Sequence, residues 1–206
     1  NPKETDWQKV AAFASVVKNF CVISGGPGTG KTFAVAKILA LLLEQSRNGY
    51  LRIALAAPTG KAAARLKEAI QKAKEKLACS EEIKAAIPEE ASTIHRLLRS
   101  IPGSPYFQHN EKNPLPADVV VVDEASMVDL ALLSKLAAAV PASSRLILLG
   151  DKDQLASVEA GAVLGDICDT GRIHSFSPQF RRDFKTIAGE EAGGSPDSRD
   201  ESAIQD

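Results

Sequence analysis

The residues from Gly25 to Thr32 read GGPGTGKT and satisfy the pattern G-x4-G-K-[S/T]. A loop that closes around the oxygens of a triphosphate needs backbone N–H groups pointing inward and little side-chain bulk. Gly25, Gly26, Gly28 and Gly30 meet that need, with Pro27 and Thr29 completing the loop. Lys31 is then placed to reach the β and γ phosphates and Thr32 to offer its hydroxyl to Mg²⁺. A second group, Asp123 and Glu124, ends the run VVVVDE. Two adjacent carboxylates at a strand end can divide two tasks: Asp123 holds the metal and Glu124 orients and deprotonates an attacking water. A third, LLGDKDQL from Leu148 to Leu155, sets Gly150, Asp151, Asp153 and Gln154 after another apolar run. The Gln154 amide can both donate and accept, as a sensor of the γ phosphate must. The plain alternatives are a glycine-rich turn, an acidic turn and a polar turn. Their joint occurrence points to a nucleoside triphosphate hydrolase using Mg²⁺.

Four β-type runs must position these residues: Phe20 to Ser24, Arg52 to Ala57, Val119 to Val122 and Leu146 to Leu149. Helical patterns follow the first three, over Lys31 to Gln45, Lys61 to Leu77 and Leu130 to Val140. The strands are nearly continuous in Val, Ile, Leu and Ala, which suits burial on both faces of a mostly parallel sheet with helices on either side. A short helix near Ser92 to Ser100 precedes a Pro- and Gly-bearing stretch, Ile101 to Pro116, that reads as an exposed excursion. From Gly189 onward the sequence is acidic and rich in Gly and Ser, which predicts a flexible tail.

Composition sets the outer limits. The 206 residues are 44% hydrophobic, enough for a core, and 25 Lys and Arg against 26 Asp and Glu leave a formal charge of −1. No global positive field therefore exists, and any affinity for nucleic acid must be local. The three cysteines, Cys21, Cys79 and Cys168, lie far apart without a CxxC pair, which predicts a reducing, cytoplasmic setting. The sequence shows no spanning run or signal peptide, so no membrane partner is expected. The first residue, Asn1, and the unpatterned end suggest a piece of something longer.

GGPGTGKT, AAPTGKAAARL, ASTIHRLL, VVVVDEAS and LLGDKDQLASVEAGAVLGDIC, in this order, resemble the motifs of superfamily 1B DNA helicases of the RecD type, from about Asp6 to Asp169. The resemblance implies a RecA-like P-loop NTPase domain over residues 1–180, with 181–206 leading to a second motor domain. It implies that Gln8 contacts adenine, that Pro58, Thr59 and Gly60 touch the DNA backbone, and that Thr93 and His95 form a second DNA contact. Lys61 and Arg65 are the basic residues of the following helix nearest that loop. The remaining charges there, Lys67, Lys72, Lys74 and Lys76, read as a solvated face opposite an apolar stripe. The family's second motor domain supplies an arginine to the γ phosphate. QFRRDF, Gln179 to Phe184, lacks the setting for that role, so slow turnover is expected of this domain alone. In the family, ATP hydrolysis drives 5′-to-3′ movement on single-stranded DNA at a duplex end, inside an exodeoxyribonuclease V complex with RecB-like and RecC-like subunits. A free-standing RecD-like helicase and a non-motor P-loop switch are the alternatives.

Overall fold

The computed structural model describes residues 6–46, 50–152, 163–169 and 176–192. Helix α1 (Trp7–Val17) starts where the Asp6 carboxylate accepts from the N–H groups of Gln8 and Lys9. Strand β1 (Phe20–Ser24) feeds the glycine loop, and α2 (Lys31–Gln45) begins at Gly30, whose φ of 81° places it in the left-handed region. β2 (Ile53–Ala57) leads into α3 (Gly60–Glu75), capped by the Thr59 hydroxyl. Leu66, Ile70 and Ala73 are buried on one face of α3, at helical spacing. After α4 (Glu81–Ala86) come β3 (Ala91–Thr93) and α5 (Ile94–Leu98). Then follow β4 (Val119–Val122), a 3₁₀ turn (Ala125–Met127), α6 (Leu130–Ala139), β5 (Arg145–Gly150), α7 (Val163–Cys168) and α8 (Pro178–Ala188).

The five strands form one parallel sheet in the order β1-β5-β4-β2-β3. Parallel strands need crossovers, and the helices that supply them cover both faces. β4 shows this residue by residue. Val119 and Val121 pack with Leu39, Leu43, Leu66 and Ile70 of α2 and α3, whereas Val120 and Val122 pack with Ile94, Leu133 and Leu136 of α5 and α6. The α/β sandwich expected from continuous apolar runs is thus present.

Three features were not expected. The segment at Ser92 is a strand before it is a helix, because β3 pairs with β2 through Leu55↔Ala91 to Ala57↔Thr93. The stretch Ile101 to Pro116 is not uniformly exposed: Leu115 is buried and its N–H donates to the Ala139 carbonyl at 2.8 Å. The expected division between residues 180 and 181 falls inside α8. That helix is capped by Ser177, started by Pro178 and ended by left-handed Gly189. Phe180 and Phe184 of α8 stack edge-on against Phe13 of α1, with ring centroids 5.0 and 5.5 Å apart. Residues 181–188 therefore belong to the packed body.

Candidate functional site

The sheet order sets the site. All five strands point the same way, so their carboxyl ends lie along one edge. Along it stand, in turn, the glycine loop after β1, Gly150 at the end of β5 with Asp151 following, Asp123 and Glu124 after β4, Pro58 and Thr59 after β2, and Thr93 at the end of β3. Ligands of open α/β sheets bind at this edge.

The glycine loop is held from several sides. The Gly25 N–H donates to the Gly150 carbonyl at 3.1 Å, and the Thr29 hydroxyl donates to the Gly26 carbonyl at 2.9 Å. Gly28 and Gly30 have φ of 76° and 81°, a region that favours glycine. The Lys31 ammonium turns back into the loop and donates to the carbonyls of Gly25 and Gly26. Thr32, the second residue of α2, is partly buried beside it. The arrangement puts a cation and the N-terminal end of a 15-residue helix at one hollow, which suits a polyanion. Gln8 reaches the same loop from α1: a side chain on Gly30 would come within 3.1 Å of its Nε2, and Lys37 donates to its Oε1 at 3.4 Å.

At the end of β4 the Asp123 N–H donates to the Ala56 carbonyl at 2.9 Å, tying this strand end to β2. Its carboxylate accepts from the Glu124 N–H, also at 2.9 Å. Burial pushes the Asp123 carboxyl above the ordinary carboxylate range, while that N–H and the Lys31 ammonium pull it the other way. Asp123 and Lys31 thus share one electrostatic environment across the intervening β5. Glu124 has φ 52° and ψ 38°, so the chain leaves the strand through a left-handed residue. Its carboxylate lies 3.9 Å from Nη1 of Arg65 on α3.

The segments expected to touch DNA also come together. Register pairs Ala57 with Thr93, so the two loops that follow are neighbours. Thr59 and Thr93 are both helix caps, accepting from the N–H groups of Ala62 and Arg96. Pro58 is partly buried, while Gly60, Lys61 and Arg65 are exposed. His95 is exposed too, its ring edge-on to Phe107 at 5.7 Å. Two of the lysines read as solvated have carboxylate partners: Lys67 pairs with Glu90 and Lys74 with Glu89. Gln154 and Asp153 lie outside the described residues. Arg182 donates to Gln179 at 2.8 Å within α8. The Arg65–Glu124 pair, the Gly25–Gly150 bond and the approach of Gln8 to Gly30 were all missed by sequence reading. Each joins residues far apart in the chain, and no local pattern announces it.

The fold and the loop define a P-loop α/β domain, and the chain belongs to the AAA domain family, whose model matches residues 8–160. It is similar to the RecBCD enzyme subunit RecD of Haemophilus influenzae, 50% identical over 169 residues that cover 80% of this chain and 26% of that protein. The RecD subunit of Mycolicibacterium smegmatis is 51% identical over 166 residues, 79% of this chain and 30% of the relative. The ATP-dependent RecD2 DNA helicase of Deinococcus radiodurans is 43% identical over 143 residues, 69% of this chain and 17% of the relative. The chain thus spans less than a third of the length of each.

Proposed function

We propose that this chain is the first motor domain of a RecD-type DNA helicase subunit, which binds and hydrolyses ATP to move 5′ to 3′ along single-stranded DNA. The observation that carries the reading is the order along the carboxyl edge. The glycine loop stands at one end, the helix caps Thr59 and Thr93 at the other, and the Asp123–Glu124 pair between them. A non-motor switch has no evident need for the second set. Sequence similarity to RecD subunits supports RecB-like and RecC-like partners, action at broken duplex ends in recombinational repair, and a cytoplasmic setting.

In this reading Gly25 to Thr32 cradle the phosphates, Lys31 neutralises them, and Gln8 recognises the base. Thr32 and Asp123 would hold Mg²⁺, which supplies charge neutralisation on the phosphates when bound. The donor set fits: a hydroxyl and one carboxylate beside phosphates suit Mg²⁺, and a carboxyl held high by burial gains from a nearby cation. Glu124 activates water, and Gln154 senses the γ phosphate. Pro58, Thr59, Gly60, Lys61, Arg65, Thr93 and His95 meet the strand through its phosphates, which position it without reading sequence. The motor domain runs through α8, and in the full-length protein a second domain supplies an arginine to the γ phosphate.

The test uses the full-length protein, alone and with its sister subunits. ATP hydrolysis is measured with and without single-stranded DNA, beside unwinding of duplexes carrying a 5′ or a 3′ overhang. DNA-stimulated hydrolysis with 5′-overhang unwinding is expected. Unwinding without sister subunits indicates a free-standing helicase, and hydrolysis indifferent to DNA in every combination leaves only a P-loop switch.

A further inference from the structure

Arg65 stands in the second turn of α3, on the helix whose cap, Thr59, is assigned above to the DNA backbone. Its side chain is 66% exposed, open to a phosphate arriving along that helix. Its partner is the Glu124 carboxylate at 3.9 Å, itself 35% exposed and projecting from a left-handed residue at the end of β4. Lys67 and Lys74 of the same helix pair instead with Glu90 and Glu89. One guanidinium therefore borders both the strand path and the group assigned to water activation.

We propose that Arg65 is a positioning residue that couples DNA binding to hydrolysis. Without DNA it holds the Glu124 carboxylate toward α3, away from the water that it is assigned to activate. A strand phosphate competes for the guanidinium and releases Glu124 toward its water. The chemistry favours the exchange, since a guanidinium's planar fork of donors takes phosphate in a bidentate manner as readily as carboxylate. The distance favours it too: at 3.9 Å the pair is an ion pair and not a hydrogen bond, and exposed pairs of that kind are weak. A tight buried pair would lock the site, whereas this one can be displaced by a single phosphate. The inference rests on the helicase reading above and adds to it the residue through which DNA acts.

The experiment is steady-state ATP hydrolysis by the full-length protein in its assembly, with and without an oligo-dT strand, for wild type, Arg65→Gln and Arg65→Lys. Arg65→Gln is expected to raise the DNA-free kcat by about 2- to 5-fold, the range set by an exposed ion pair, with the KM for ATP unchanged and the stimulation by DNA reduced. Arg65→Lys, which keeps the charge but not the planar fork, is expected to raise the DNA-free kcat by less than Arg65→Gln does. Binding of a fluorescent ATP analogue reports that each variant is folded. A DNA-free kcat of Arg65→Gln at or below that of wild type overturns the proposal and leaves Arg65 as a phosphate contact alone. A wild-type enzyme that DNA does not stimulate overturns the helicase reading instead, so the two failures are distinct.

Discussion

The N–H of Gly25 donates to the carbonyl of Gly150 at 3.1 Å, joining the first residue of the glycine loop to the last residue of β5. The bond continues the β1–β5 register, which ends at Ser24↔Gly150, by one step beyond the strands. Gly150 has no room for a side chain there. A Cβ would collide with Leu164 Cδ2 and stand 3.1 Å from the Ser126 amide nitrogen, which is backbone and cannot swing aside. Gly150→Ala should cost about 1 to 3 kcal/mol by overpacking, read as a lowered midpoint in thermal unfolding, and should weaken ATP binding through the displaced loop.

Glu124→Gln keeps the size and loses the base. Hydrolysis by the full-length protein should fall by about 10²- to 10⁴-fold while ATP binding persists, measured by turnover beside binding of a fluorescent nucleotide. Turnover at the wild-type rate would remove Glu124 from its role.

Gln8 sits against the glycine loop, with Nε2 beside Gly30 and Oε1 engaged by Lys37. A carboxamide that donates and accepts discriminates adenine from guanine. Gln8→Ala should narrow the preference for ATP over GTP by about 2- to 10-fold, the worth of one hydrogen bond, in a competition binding assay.

Phe184 is 1% exposed and lies between α8 and α1. Phe184→Ala should destabilise the protein by about 3 to 5 kcal/mol in denaturant unfolding. A loss below about 0.5 kcal/mol, as for surface positions, would mean that α8 is not part of the packed body.

At the other end of the sheet Arg52 donates to Asp118 through its side chain, 2.7 Å from Nη2, and through its backbone N–H at 2.8 Å. Those hydrogen bonds hold the Asp118 carboxyl below its ordinary range. A depressed carboxyl contributes stability that is present above its unfolded-state pKa and lost as pH falls through the folded one. Asp118→Asn should therefore lower the thermal midpoint at neutral pH, and the gap from wild type should close as the solution is taken below the carboxylate range.

The sequence was most informative where one physical rule dominated. Continuous Val in Val119–Val122 means burial on both faces, and the GGPGTGKT spacing means a glycine loop between strand and helix; both stand in the fold. It was least informative where tertiary contacts decide. β3 is only three residues long and owes its form to pairing with β2. The RRDF residues read as the start of a tail because their partner, Phe13, lies far away in the chain. Lys67 and Lys74 read as a solvated face because Glu89 and Glu90 reach them from beyond α4. The left-handed Glu124 had no signal at all, since nothing in its residue type asks for that conformation.

All four residues of β4 are buried, two against each layer of helices. The strand that presents Asp123 and Glu124 thus has no water-facing side on which substitutions could accumulate harmlessly. Heritable adjustment of this site must then come through its neighbours, the ends of β2 and β5 and the helix bearing Arg65. Those neighbours are where paralogues that share the carboxylate pair would be free to diverge in how tightly hydrolysis answers to a bound strand.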